Sequence, residues 1–224
     1  MYNTTMRKAK YICFEGTEGV GKTTQTQKLV DYLRGKGYSV LQTKEPGTPL
    51  CPLTMQLRAI MLDKQYDDVL TAPARELISQ AIRSIHLERV VYPALNEYDF
   101  IVQDRGIVSG IAYGTACGND DEVIEMLVDF VVPRDMINHD ALYDKIIYLR
   151  GNASRGLKVA KAAKQEYAAG DAMESRGETF INQASRNMDR ACDAMNATVI
   201  EVDGKNIEQV FSDILNALQL KENE

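Results

Sequence analysis

At 224 residues, 45% apolar and 26% charged, the chain has the size and composition of one globular domain with a sizeable core, which excludes a disordered or low-complexity protein. Its net charge of −6 repels polyanions at long range, so neither nucleic acid nor a membrane surface is an expected partner, and an anionic substrate must be held by locally clustered cations. Cys13, Cys51, Cys117 and Cys192 have no C-x-x-C spacing and are too sparse for a disulfide framework; with no apolar h-region after the basic N-terminus and no apolar run near the roughly 18 residues of a membrane span, a cytoplasmic protein without leader or span is expected.

Apolar runs bounded by turn residues alternate with helical patterns, the layout of a parallel sheet flanked by helices. A first strand is expected over Tyr11 to Glu15, then a helix over Lys22 to Arg34 stopped by Gly35 and Gly37. A second strand over Ser39 to Lys44 precedes a helix at Thr54 to Leu62. One long helix follows over Ala72 to Leu95, with Leu77, Ala81 and Ile85 at helical spacing. The third strand is Phe100 to Asp104, followed by a helix at Glu122 to Val131 and a strand at Lys145 to Leu149. Helices over Ser154 to Ala168, Glu178 to Met195 and Ile207 to Leu218 enclose a fifth strand at Thr198 to Val202. No domain boundary or internal repeat interrupts this order, so residues 1–224 are expected to form a single domain. The polar stretch Ala160 to Glu178 reads as a mobile flap within a lid over about 151–178.

Between the first strand and first helix, Gly16-Thr17-Glu18-Gly19-Val20-Gly21-Lys22-Thr23 spells G-x-x-x-x-G-K-[ST]. Glycines there let successive N–H groups turn inward around a phosphate, and the helix behind adds its positive end. Lys22 would reach the outer phosphates of a nucleoside triphosphate, and the Thr23 hydroxyl a magnesium ion. Asp104-Arg105 ends the third strand, where ligands of open parallel sheets gather. Asp104 suits the magnesium shell and Arg105 a bidentate grip on phosphate. Lys44-Glu45-Pro46-Gly47-Thr48 ends the second strand and by itself reads as a plain turn.

The phosphate loop with Thr24, then Glu45-Pro46-Gly47-Thr48, then Asp104-Arg105 with Ser109 and Ala112-Tyr113, resembles the thymidylate kinase family in order and spacing. The similarity runs on through Gln56-Leu57-Arg58, Glu76-Leu77 with Arg83, Pro93-Ala94-Leu95, Gly156-Leu157-Lys158 and Val202-Asp203, nearly the whole chain. It implies a three-layer P-loop nucleoside monophosphate kinase fold with a five-stranded parallel sheet and a lid. It implies also an ATP- and Mg2+-dependent transfer of phosphate to a deoxynucleoside 5′-monophosphate, dTMP before others, and a homodimer through the helices. ATP would lie on Gly16, Glu18, Gly19, Gly21, Lys22, Thr23 and Thr24. In this resemblance the acceptor meets Glu18 near its sugar, Arg83 at a pyrimidine carbonyl, and Tyr113 in the space of a ribose 2′-hydroxyl. Glu45, Arg58, Arg105 and Ser109 line the same acceptor site. A solvated carboxylate, a surface arginine and a core tyrosine are the competing readings of Glu18, Arg83 and Tyr113.

Five departures from the family stand out. Ser79 and Gly110 replace a stacking phenylalanine and a hydrogen-bonding Asn or Thr in the base pocket, which leaves room for another or a 5-modified base. Asp171-Ala172-Met173-Glu174 lacks the lid arginine of the family. Gly106 replaces an aromatic or histidine, and Arg150 an acidic residue. Gly19 rules out an arginine inside the loop, so the lid is expected to supply the catalytic cation, with Arg155 and Lys161 foremost beside Lys158, Lys164 and Arg176. A kinase acting on the sugar hydroxyl with Glu45 as base, and a nucleotide-binding switch, are the alternatives. His86 and His139 are read as packing or surface residues rather than metal ligands.

Overall fold

A strand such as Tyr11-Ile12-Cys13-Phe14, apolar at every position, must be covered on both faces. The computed structural model, which describes residues 8–132, 142–163 and 171–220, provides that cover. Strands β1 (Lys10–Glu15), β2 (Val40–Lys44), β3 (Phe100–Asp104), β4 (Lys145–Arg150) and β5 (Thr198–Glu201) pair in the order β2-β3-β1-β4-β5, all parallel. Side chains alternate between faces, so Ile12, Phe14, Val102 and Ile147 join α1 (Lys22–Gly35) and α10 (Ile207–Ala217) in one core layer. Tyr11, Cys13, Ile101 and Tyr148 point the other way into the second layer. That layer is closed by α4 (Tyr92–Glu97), α5 (Ile107–Ala116), α6 (Asp121–Val131) and α9 (Gly177–Ala194). Helices α2 (Pro52–Leu62), α3 (Ala72–His86), α7 (Ala153–Ala163) and the short α8 (Ala172–Ser175) surround the carboxyl edge. The three-layer α/β architecture is the expected one.

Two expectations need correction. The helix expected unbroken over Ala72 to Leu95 is α3, a π-helical turn at Leu87–Val91, and α4. Pro93 sits in the first turn of α4, where it brings no N–H and its ring crowds the carbonyl four residues earlier, so the ladder widens to i→i+5. Second, α5 fills a stretch where no helix is expected, because Gly106, Gly110 and Gly114 lower its intrinsic propensity. The helix expected over Ser154 to Ala168 is described as α7 to Ala163; the remainder, Lys164 and His139 lie outside the described residues.

Register sets up the site. Lys44 pairs with Asp104 and Asp104 with Phe14, so β1, β2 and β3 end nearly level and the loops after them meet above one edge.

Candidate active site

The loop after β1 rises to α1 through Gly19 (φ 70°) and Gly21 (φ 91°), left-handed conformations that side chains with a Cβ rarely adopt. Gly21 is the residue before α1, and no side chain caps that helix end, so its first N–H groups face the loop. The buried Lys22 ammonium donates to the Thr17 carbonyl at 2.6 Å. Burial, joined by the charge of Arg105, pushes Lys22 down to about 8 against the pull of Asp104, Glu18 and Glu15. The Thr23 hydroxyl donates to Asp104 Oδ2 at 3.0 Å, while Asp104 Oδ1 is buried without a hydrogen-bond partner among the described residues. A hydroxyl beside a carboxylate with one oxygen unspent is the oxygen donor set a magnesium ion takes.

Arg105 follows with φ 65°, a left-handed arginine whose strain of about 1–3 kcal/mol must be held by its surroundings. Its N–H donates to the Phe14 carbonyl at 2.8 Å. Its guanidinium donates to the Gly16 carbonyl (2.9 Å), Ser109 Oγ (3.0 Å) and Glu18 Oε1 (2.7 Å), and lies over the Tyr113 ring. Tyr113 in turn donates to Glu18 Oε2 at 2.5 Å. Burial would raise the Glu18 carboxyl, but Arg105 and then Lys22 outweigh it and hold it below its ordinary value. Arg105 thus spans the phosphate loop and the cleft beside it.

Glu15, the fully buried last residue of β1, fixes α5 in place. Its Oε1 accepts from the Gly106 N–H (2.8 Å) and the Ser109 N–H (3.3 Å), and its Oε2 from the Ser109 hydroxyl. A carboxylate from another strand therefore does the work of an N-cap at the start of α5. Burial raises its pKa despite the Ser109 hydroxyl and Arg105.

Beside Arg105 opens a cleft lined by Glu18, Glu45, Arg58, Glu76, Ser79, Arg83, Ser109, Gly110 and Tyr113, so the predicted acceptor residues do converge. Glu45 accepts from Arg83 Nε at 3.1 Å and lies 2.9 Å from His86 Nδ1; His86 Nε2 is 2.8 Å from Thr43 Oγ1. Burial opposes ionisation of Glu45, but Arg83 and His86 prevail and hold the carboxyl low. A carboxylate so engaged orients Arg83. Arg58 donates to the Pro46 carbonyl at 2.7 Å and ties α2 to the turn after β2.

The thymidylate kinase family model matches residues 14–214. This chain belongs to the thymidylate kinase family. The thymidylate kinase of a Psychrobacter species is 32% identical over 211 residues, 92% of this chain and 94% of that protein. That of Photobacterium profundum is 32% identical over 213 residues, 94% and 96% of the two chains. The crystal structure of thymidylate kinase from Ehrlichia chaffeensis shares the fold, with a TM-score of 0.69 at 22% identity over 94% of this chain and 98% of that one.

Neighbouring side chains account for two departures from the thymidylate kinase pattern, Gly106 and Gly110. A Cβ at Gly106 would collide with the Tyr143 hydroxyl, and one at Gly110 with the Arg83 guanidinium. A Cβ at Gly19 would collide with the Gly156 carbonyl oxygen, so the loop, packed on α7, has no room for an arginine there. Of the cations expected to serve a lid, Arg155 is 59% exposed in its side chain and paired with Asp203. Arg176 reaches Asp67 at 3.1 Å and lies over Phe180. The Lys161 side chain is outside the described residues. Arg150 bonds Glu201 on the surface. Glu15 bears on the site although no motif marks it, while Glu76, which the resemblance includes, and Gln80 stand with Arg83 in a polar stripe at helical spacing on α3.

Proposed function

We propose that this chain transfers the terminal phosphoryl group of ATP to the 5′-phosphate of dTMP, giving ADP and dTDP. The observation that carries the reading is Arg105, bonded to the Gly16 carbonyl of the phosphate loop on one side and facing the acceptor cleft with Glu18 and Tyr113 on the other. One cation then holds donor and acceptor phosphates side by side. An acceptor phosphate oxygen attacks the γ-phosphorus as the bond to the β-phosphate breaks, and since that oxygen is already anionic no base is needed. The loop around Gly16 to Thr24 cradles the triphosphate and Lys22 neutralises its outer oxygens. Thr23 and Asp104 would hold Mg2+, which when bound screens the phosphates' charge. Tyr113 and Glu18 frame the sugar, and Arg83, oriented by Glu45, donates to a base carbonyl beside Ser79 and Gly110.

The lid over about 151–178 closes on ATP and excludes water, with Arg155 or Lys161 as its cation. For Arg155 this requires release of Asp203. The protein acts as a single-domain cytoplasmic homodimer on nucleotides, not nucleic acid; among the described residues no helix is long and apolar enough to cross a membrane. ADP release with dTMP, with thymidine and with no acceptor tests the reading, and the product is identified by chromatography. ADP should form only with dTMP, and Asp104→Asn should lower kcat on the order of 10²-fold or more. Acceptor-independent hydrolysis, or phosphorylation of thymidine instead, would overturn it.

A further inference from the structure

The far end of the acceptor cleft holds a carboxyl that the reaction above does not use. Glu76 on α3 is only 4% exposed, yet lines the cleft. Its Oε1 accepts from Gln80 Nε2 at 2.7 Å, and Gln80 Oε1 accepts from Arg83 Nη1 at 2.8 Å. Its Oε2 takes no hydrogen bond among the described residues and faces Gly114, where an added Cβ would come within 2.6 Å of it. One turn earlier on α5, Gly110 gives the same clearance to the Arg83 guanidinium. Gly110 and Gly114 are four residues apart, so their Cβ positions would lie about 6 Å from each other on one helix face. Two glycines therefore admit a cationic donor and a carboxyl acceptor side by side, bridged behind by Gln80, and Ser79 leaves the space in front of them open.

We infer that Glu76 is a specificity-determining residue, and that the acceptor site takes a 4-oxo-pyrimidine deoxynucleotide whose 5-substituent is longer than methyl and ends in a hydrogen-bond donor, such as a hydroxymethyl group. The inference rests on the proposed kinase reading and deepens it. A ring carbonyl meets Arg83, and a hydroxyl on the neighbouring ring position meets Glu76 Oε2. A methyl in that place leaves the carboxyl oxygen desolvated without a donor, and a site with such an unpaired group discriminates against the ligand that fails to fill it. Burial raises the Glu76 pKa against the hydrogen bond of Gln80 and the charge of Arg83; a protonated carboxyl also finds its partner in a hydroxyl, which both donates and accepts. A 4-amino pyrimidine is disfavoured, because it turns N–H groups toward Arg83.

The test compares kcat/KM for 5-hydroxymethyl-dUMP and dTMP on the wild-type protein and on Glu76→Leu and Glu76→Gln, with dCMP as a third acceptor. The wild type should favour 5-hydroxymethyl-dUMP by about tenfold, Glu76→Leu should erase that preference, and Glu76→Gln, whose amide can still pair with a hydroxyl, should retain part of it. Each ratio is internal to one protein, so a general loss of activity does not distort it, and the wild-type ratio stands even where a variant does not fold. A wild-type ratio at or below one with dTMP turned over, or a ratio indifferent to Glu76→Leu, overturns this inference and leaves the kinase reading standing. If neither acceptor is phosphorylated, both fall.

Discussion

Lys22 sits among three carboxylates and still has a depressed pKa of about 8, because burial and the nearby Arg105 act against its charge. Phosphates require the protonated form, so binding of ATP must take up a proton whenever the free protein has lost it. Below about 8 the ammonium is already present and affinity is flat, and above it affinity falls as pH rises. At pH 9 the apparent Kd for ATP should be about tenfold weaker than at pH 7, measured by titration calorimetry. Lys22→Arg stays charged across this window and should bind with no such slope; an equal slope in both proteins would assign the titration elsewhere. Lys22, Thr23, Asp104 and Arg105 were legible in the sequence because phosphate chemistry demands those residue types at fixed offsets. Glu15 was not, since nothing in a strand terminus announces that its carboxylate caps a helix that begins 92 positions later at Ile107. Glu76 was legible only as part of a resemblance, because a glutamate on α3 reads as solvated until Gly114 is known to face it.

The elements show the same division between local and distant causes. The central strands β1, β3 and β4 are where their apolar runs put them, since a buried parallel strand has one readable signature, and the edge strands β2 and β5 carry shorter apolar pairs, Val40-Leu41 and Val199-Ile200. Helix α5 escaped because its stability comes from Glu15 and from burial, which override the propensity penalty of its glycines. The break between α3 and α4 was written in Pro93 but outvoted by helical spacing. What no spacing rule reveals is the contact between the phosphate loop and α7. A Cβ at Gly156 would collide with the Glu18 carbonyl oxygen, and one at Gly19 with the Gly156 carbonyl, so the start of α7 rests backbone against backbone on the loop. Gly156→Ala must therefore move α7 away from the loop. It should cost about 1–3 kcal/mol in urea unfolding and raise KM for ATP more than KM for dTMP. Gly35→Ala, at the end of α1 with nothing within 4 Å of the new Cβ, is the matched control and should be neutral or slightly stabilising. Equal behaviour of the two variants would mean that the loop and α7 do not bear on each other.

At the scale of the molecule, the proposed dimer has a surface to use. Val123, Met126 and Phe130 recur at i, i+3 and i+7 along α6, so they share one face, and they are 44%, 61% and 87% exposed. Leu77 on the adjacent α3 and Ile60 on α2 are also exposed large apolar side chains. Exposed apolar side chains that recur along one helix face mark an association surface better than scattered single residues would. In a two-fold dimer each protomer would present the same helices to the other, burying Phe130 against its partner's apolar face. This face carries α3, whose other side supplies Glu76, Ser79 and Arg83, so association would also stiffen the acceptor pocket. Sedimentation velocity should give about twice the 25.0 kDa of one chain. Phe130→Asp should shift the population to single chains and raise KM for the acceptor while leaving KM for ATP nearly unchanged, because the phosphate loop lies on β1 and α1, away from α6. A wild-type protein that sediments as a single chain at micromolar concentration would remove the dimer, and an unaltered acceptor KM in a monomeric variant would remove the link between association and the pocket.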